Sequence, residues 1–228
     1  YELGALRTRF ANAHGLDDPN HYSTAHDLAI LSVTAMRFPT FSQVVRTPQF
    51  QAQTISASWQ NTNKLLWGFE GIEGIKTGTT SGAGYCLVAA ASRDGMQLIS
   101  VVLGSSDRWT DSSRLLEYGF AEFHLLTVAE HGDVLADVKV PGELGTLRAV
   151  ADGDFRVGVR RAEANDLQMR VSLDDIRAPI RAGQVVGTLH ISGEDGRVIN
   201  TVPLVAAEDV PRWTVHGALW RWLQTVWQ

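Results

Sequence analysis

The chain has 228 residues, 44% of them hydrophobic, and a formal net charge of -5. That length and apolar content build one large folded domain or two modest ones, and exclude a disordered chain. No basic block is present, which sets nucleic-acid binding aside, and the one cysteine, Cys86, excludes an intrachain disulfide and a cysteine-based metal site.

Taken in chain order, Ser23 to Asp27 opens a helix. Thr24 is placed to cap it, and Leu28, Leu31, Ala35 and Met36 follow at helical spacing until Pro39. Residues from Gln51 to Trp59 alternate like a strand. Tyr85 to Ala91 and Met96 to Leu103 flank Arg93-Asp94-Gly95, which predicts a β-hairpin. Cys86 lies in the apolar run of the first of these strands and is expected to be a buried, inert thiol. A helix is expected from about Asp111 to Phe123, with Leu116, Phe120 and Phe123 on one face.

Beyond about residue 130 the period changes from helical to two. Leu167, Met169, Val171 and Leu173 alternate with polar residues, as do positions 185 to 191, and a further strand ends near Val205. From Trp213 onward the pattern returns to a helical one. Val215, Leu219, Trp220, Trp222, Leu223, Val226 and Trp227 fall on one half of the circumference. Four of the seven tryptophans, Trp213, Trp220, Trp222 and Trp227, lie in this tail, which suits a helix at a membrane surface or, alternatively, one packed on the β region before it.

The chemistry concentrates in Gly74-Ile75-Lys76-Thr77-Gly78-Thr79-Thr80. Lys76 offers a point charge with three donors, and Thr77 a hydroxyl. Gly78 offers room for a ligand backbone. The edge of such a strand pairs with an extended peptide, and the Thr79 amide is placed to stabilise an oxyanion. Together these suit a peptide that ends in a carboxylate. The seven histidines have no zinc-ligand spacing, and Gly68, Gly71 and Gly74 do not form a phosphate loop, so no metal and no cofactor is expected.

That segment, with Ala83-Gly84-Tyr85, Leu87 to Ala91, Arg93 and Leu98 to Gly104, resembles the serine D-alanyl-D-alanine carboxypeptidases, the low-molecular-weight penicillin-binding proteins. Phe10 to Asp17, Tyr22 to Ala29, Asn61 to Leu66 and Arg114 to Phe120 carry the resemblance to either side. Ala178-Pro179-Ile180, Gly183 to Leu189 and Pro203-Leu204-Val205 extend it, more loosely, into the second half.

The resemblance implies an α+β chain. Residues 1–124 would be the C-terminal part of a transpeptidase-like catalytic domain, 125–130 a linker, 131–208 a small β domain and 209–228 a membrane-associating amphipathic helix. It also implies that Lys76, Thr77, Gly78, Thr79 and Arg108 bind a peptidoglycan stem peptide ending in D-Ala-D-Ala, with Thr77 and Arg108 at its terminal carboxylate, Lys76 supplying positive potential and the Thr79 amide forming part of the oxyanion hole. β-Lactams would be ligands of the intact enzyme. The location would be extracytoplasmic, at the periphery of the cytoplasmic membrane. His14, near the site in the family, is expected to act structurally.

The family's nucleophile lies in a Ser-x-x-Lys motif, supported by Ser-x-Asn. Asn61, Glu73 and Ala136 stand three residues before the three lysines, so no Ser-x-x-Lys occurs, and no serine is followed two positions later by asparagine. The expectation is that an N-terminal segment carrying both motifs is missing and that this chain alone is inactive. The alternative is a non-catalytic cell-wall or membrane-surface binding protein on the same scaffold. A β-lactamase or esterase is a third reading, against which the β domain and the tail argue.

Overall fold

The computed structural model describes residues 2–52, 56–140 and 145–212. The chain divides into two compact units, residues 1–124 and 125–228.

The first unit opens with loops up to Thr24 and then helix α1 (Ala25–Met36). Thr24 is its N-cap and accepts a hydrogen bond from the Asp27 amide, the local capping geometry that the sequence predicts. Pro39 does more than stop this helix. It occupies the first turn of a second, α2 (Pro39–Arg46), where a missing N–H costs nothing. The alternating stretch that reads as one strand is a hairpin of β1 (Gln49–Ala52) and β2 (Ala57–Gln60), with Phe50 opposite Trp59. A two-residue period continues across both arms, so alternation alone does not reveal the reversal.

A single turn of 3-10 helix (Lys64–Trp67) leads into β3 (Ile72–Thr80), β4 (Gly84–Arg93) and β5 (Met96–Ser105). These form an antiparallel sheet in the order β3-β4-β5, with β3 at one edge. Asp94 (φ 50°) and Gly95 (φ 79°) close the β4–β5 hairpin, both in the left-handed region that a tight two-residue turn requires. Helix α3 (Arg108–Glu122) follows, three residues earlier at its start than its apolar spacing predicts, because Asp107 caps it.

The central strand explains its own sequence. Leu87, Ala89 and Ala91 pack with Leu65 and Leu116, while Ala90 packs with Met36 and Ile75. A strand covered on both faces reads as a continuous apolar run. Gly74 is required where α2 crosses β3. Its φ is +127°, and a Cβ there would lie 2.9 Å from Val45 Cγ2.

The second unit is all β. Its strands are β6 (Phe123–Ala129), β7 (Val134–Lys139), β8 (Thr146–Ala151), β9 (Phe155–Arg160), β10 (Gln168–Leu173), β11 (Val185–Ser192) and β12 (Val198–Ala206). A five-stranded sheet runs β10-β11-β12-β8-β7, and β6 pairs with β9. Leu147, Ala149, Leu189, Ile191, Val202 and Leu204 are at most 2% exposed and form its core. Residues 125–130, read above as a linker, lie largely within β6. Of the stretch read as the tail helix, residues 209–212 are described and are not helical: Val210 bridges Ile180, and Asp209 accepts the Ala182 amide. Trp213, Trp220, Trp222 and Trp227 lie outside the described residues. Among the described residues no single helix is long and apolar enough to cross a membrane.

Candidate functional site

Strand β3 carries Lys76, Thr77, Gly78 and Thr79 side by side at the sheet edge, opposite Val88, Leu87, Cys86 and Tyr85 of β4. Strand alternation divides their roles. Thr77 is buried, at 8% exposure, and its hydroxyl lies 2.6 Å from that of Thr62, in the segment before the 3-10 turn. Lys76 and Gly78 are exposed. The Lys76 ammonium donates to the carbonyl of Thr77 and so stays against its own strand.

Arg108, the first residue of α3, arrives at this strand from elsewhere in the sequence. Its Nη1 lies 2.8 Å from the Gly78 carbonyl, 2.9 Å from Thr79 Oγ1 and 3.1 Å from the Cys86 carbonyl. Thr79 Oγ1 in turn donates to the Gly78 carbonyl at 2.8 Å. The start of α3 is set by a local network. Asp107 accepts from the amide and hydroxyl of Thr110, contacts that hold its carboxyl below the usual carboxylate range, the hydroxyl contributing most. Ser105 donates to Asp111 and receives the Asp107 amide.

The structure thus gathers all five residues singled out from the sequence along one strand and one helix start. It adds partners that motif reading does not find. Thr62 braces Thr77. Asp17 accepts from the Thr80 hydroxyl at 2.5 Å and from the Gly82 amide at 3.1 Å, across 63 and 65 positions of chain. Tyr85 and Trp109 lie against Arg108, with ring centres 5.4 and 4.6 Å from its Cζ. The only signal for these in the sequence is membership of the segments that carry the resemblance. Trp109 lacks even that.

His14 has a local structural contact, its Nδ1 accepting the Leu16 amide at 3.1 Å. Cys86 is not the core thiol expected from its apolar run. It is half-buried, and its Sγ lies 3.5 Å from the Ala83 carbonyl. It sits on the partner strand opposite Gly78, at the site's flank. Among the described residues no cluster of histidine, cysteine or acidic side chains could hold a metal ion.

A cationic, hydroxyl-lined edge strand with an arginine at its end is suited to an extended peptide with a terminal carboxylate. Comparison with known proteins gives the family. Residues 1–107 match the family model for D-alanyl-D-alanine carboxypeptidase, and residues 123–212 that for the C-terminal domain of penicillin-binding protein 5. The D-alanyl-D-alanine carboxypeptidase DacA of Haemophilus influenzae is 34% identical over 97% of this chain and 58% of its own length. DacF of Bacillus subtilis is 31% identical over 92% of this chain and 56% of its own. The crystal structure of penicillin binding protein 5 from Haemophilus influenzae superposes with a TM-score of 0.75 at 33% identity, covering 92% of this chain and 63% of that one. The chain belongs to the D-alanyl-D-alanine carboxypeptidase family, the low-molecular-weight penicillin-binding proteins. It spans a little over half the length of the curated relatives it matches.

Proposed function

We propose that this chain is the substrate-binding portion of a serine-type carboxypeptidase that removes the terminal D-Ala from peptidoglycan stem peptides through an acyl-enzyme. The observation that carries this reading is the edge strand β3, with Thr77 braced by Thr62 and Arg108 anchored on Gly78 and Thr79. The peptide would lie along the strand and pair with its free edge. The Thr77 hydroxyl and the Arg108 guanidinium would take the terminal carboxylate, and Lys76 would supply positive potential. The Thr79 amide would donate to the oxyanion that develops when the scissile carbonyl is attacked. The attacking serine, in a Ser-x-x-Lys motif, would belong to sequence outside these 228 residues. On the same reading the protein works outside the cytoplasm, with Trp213, Trp220, Trp222 and Trp227 resting in the membrane interface.

The test has two arms. A peptide ending in D-Ala-D-Ala, titrated into the 228-residue chain, should perturb the backbone amides of residues 76–80, and Lys76→Ala should weaken binding about tenfold. No perturbation would reject the substrate reading. A fluorescent penicillin should leave the chain unlabelled, and a serine-linked adduct would place a nucleophile within it and reject that part of the proposal. Cosedimentation with anionic vesicles, compared with a chain ending at residue 212, tests the tail.

A further inference from the structure

Arg108 has five N–H donors, and its Nη1 group faces all three of its acceptors on β3 and β4. Its Nε and Nη2 make no bond among the described residues. A guanidinium tethered through one nitrogen can still swing about that point. Two rings restrict it: Tyr85 on β4, at 5.4 Å, and Trp109 on α3, at 4.6 Å from Cζ. Trp109 is itself fixed, because it packs against the cluster of Leu65, Leu87 and Leu116. Lys64 approaches the same indole, 6.0 Å from its ring centre. Tyr85, by contrast, is 53% exposed and has no core to fill.

We infer that Tyr85 and Trp109 are positioning residues that hold the Arg108 guanidinium with Nε and Nη2 presented toward the end of the Lys76-Thr77-Gly78 strand, ready for a ligand carboxylate. The physical reason is that an aromatic face attracts a guanidinium and defines its plane, which lowers the ordering cost of a bidentate contact. This inference rests on the carboxylate-binding reading of Arg108 given above.

The experiment follows the Arg108 Nε–H resonance in the 228-residue chain, together with the affinity for a peptide ending in D-Ala-D-Ala. In Tyr85→Leu the Nε–H bond should become more mobile, its 15N relaxation order parameter falling, and affinity should fall about fivefold, toward that of Arg108→Ala. Trp109→Leu should do the same. Tyr85→Phe and Trp109→Phe keep a ring and should restore both readouts. If Trp109→Leu fails to fold, Tyr85→Leu decides alone, since its side chain is on the surface. An unchanged Nε–H order parameter in Tyr85→Leu overturns the inference. If the wild-type chain binds no peptide, the functional reading fails, yet the resonance comparison still decides the clamp. Lys76→Ala should weaken the peptide while leaving the Arg108 resonance in place, which separates the two.

Discussion

The Asp17 carboxylate accepts hydrogen bonds from the hydroxyl of Thr80 and the amide of Gly82, joining an N-terminal loop to the turn that follows the Lys-Thr-Gly strand. Thr80 Oγ1 also receives the Ala83 amide at 3.0 Å, so one carboxylate organises the whole reversal from β3 to β4. That loop is itself braced: Asn12 donates to the Leu16 carbonyl and accepts the Gly15 amide.

Asp17→Ala should therefore loosen the strand end selectively. The contacts are exposed, so the global loss should be small, about 1 kcal/mol. Amide exchange at residues 80–84 should accelerate, while that of β5 stays unchanged, as read by hydrogen-exchange mass spectrometry. Uniform acceleration in both strands would show that Asp17 acts on global stability instead.

Acid should weaken the first unit partly through Asp27. This buried carboxylate accepts from the Thr8 hydroxyl and the Arg7 amide, each at 2.7 Å, and the Thr8 contact is the main reason its pKa lies below the ordinary 3.8. A folded pKa below the unfolded one stabilises the folded state above pH 3.8, and this contribution is lost as pH falls through the depressed value. Denaturation of wild type and Asp27→Asn at a series of pH values should show a gap at neutral pH that closes below 3.8. A gap that is constant with pH would assign the effect to shape rather than charge.

Arg93 should not be replaceable by lysine. Its guanidinium binds both oxygens of Glu117, at 2.9 and 2.7 Å, and lies 4.9 and 4.6 Å from the rings of Phe69 and Phe120. The pairing raises the arginine pKa and lowers that of Glu117. Lysine keeps the charge and loses the fork and the planar stacking. Arg93→Lys should cost about 1 kcal/mol in chemical denaturation, more than Glu117→Gln, which leaves both rings in contact. Equal losses would mean that the ion pair carries the whole effect.

Gly74→Ala should disturb the helix–sheet packing behind the site. The backbone there adopts φ +127°, and the added methyl would meet both Cγ2 and the carbonyl of Val45, at 2.9 and 3.1 Å. Backbone strain and overpacking together predict a loss of about 2–4 kcal/mol. A lowered thermal midpoint checks it, and Val45→Ala in the same chain should recover part of the loss.

Much of the first unit is legible in the sequence because its signals are local. The Thr24 cap and the Asp94-Gly95 turn are decided within a few residues of themselves. The apolar run from Leu87 to Ala91 announces a strand covered on both faces. The hairpin at 49–60 and strand β6 were harder to read. The first shares one period across both arms, and the second pairs with a distant strand rather than a neighbour in sequence.

By itself, the sequence determined the two-part organisation, the strand that carries Lys76, Thr77, Gly78 and Thr79, and the absence of a Ser-x-x-Lys motif within these residues. Those properties follow from periodicity and from short contiguous motifs. Only the tertiary structure decided what surrounds that strand. Arg108 is named by the family resemblance, but Asp17, Thr62, Tyr85 and Trp109 come from loops, a neighbouring strand and a helix start. Contacts of this kind arise when separate elements pack, and no spacing along the chain encodes them. The Lys-Thr-Gly strand thus gains its contacts with Arg108, Thr62 and Asp17 only in the folded state.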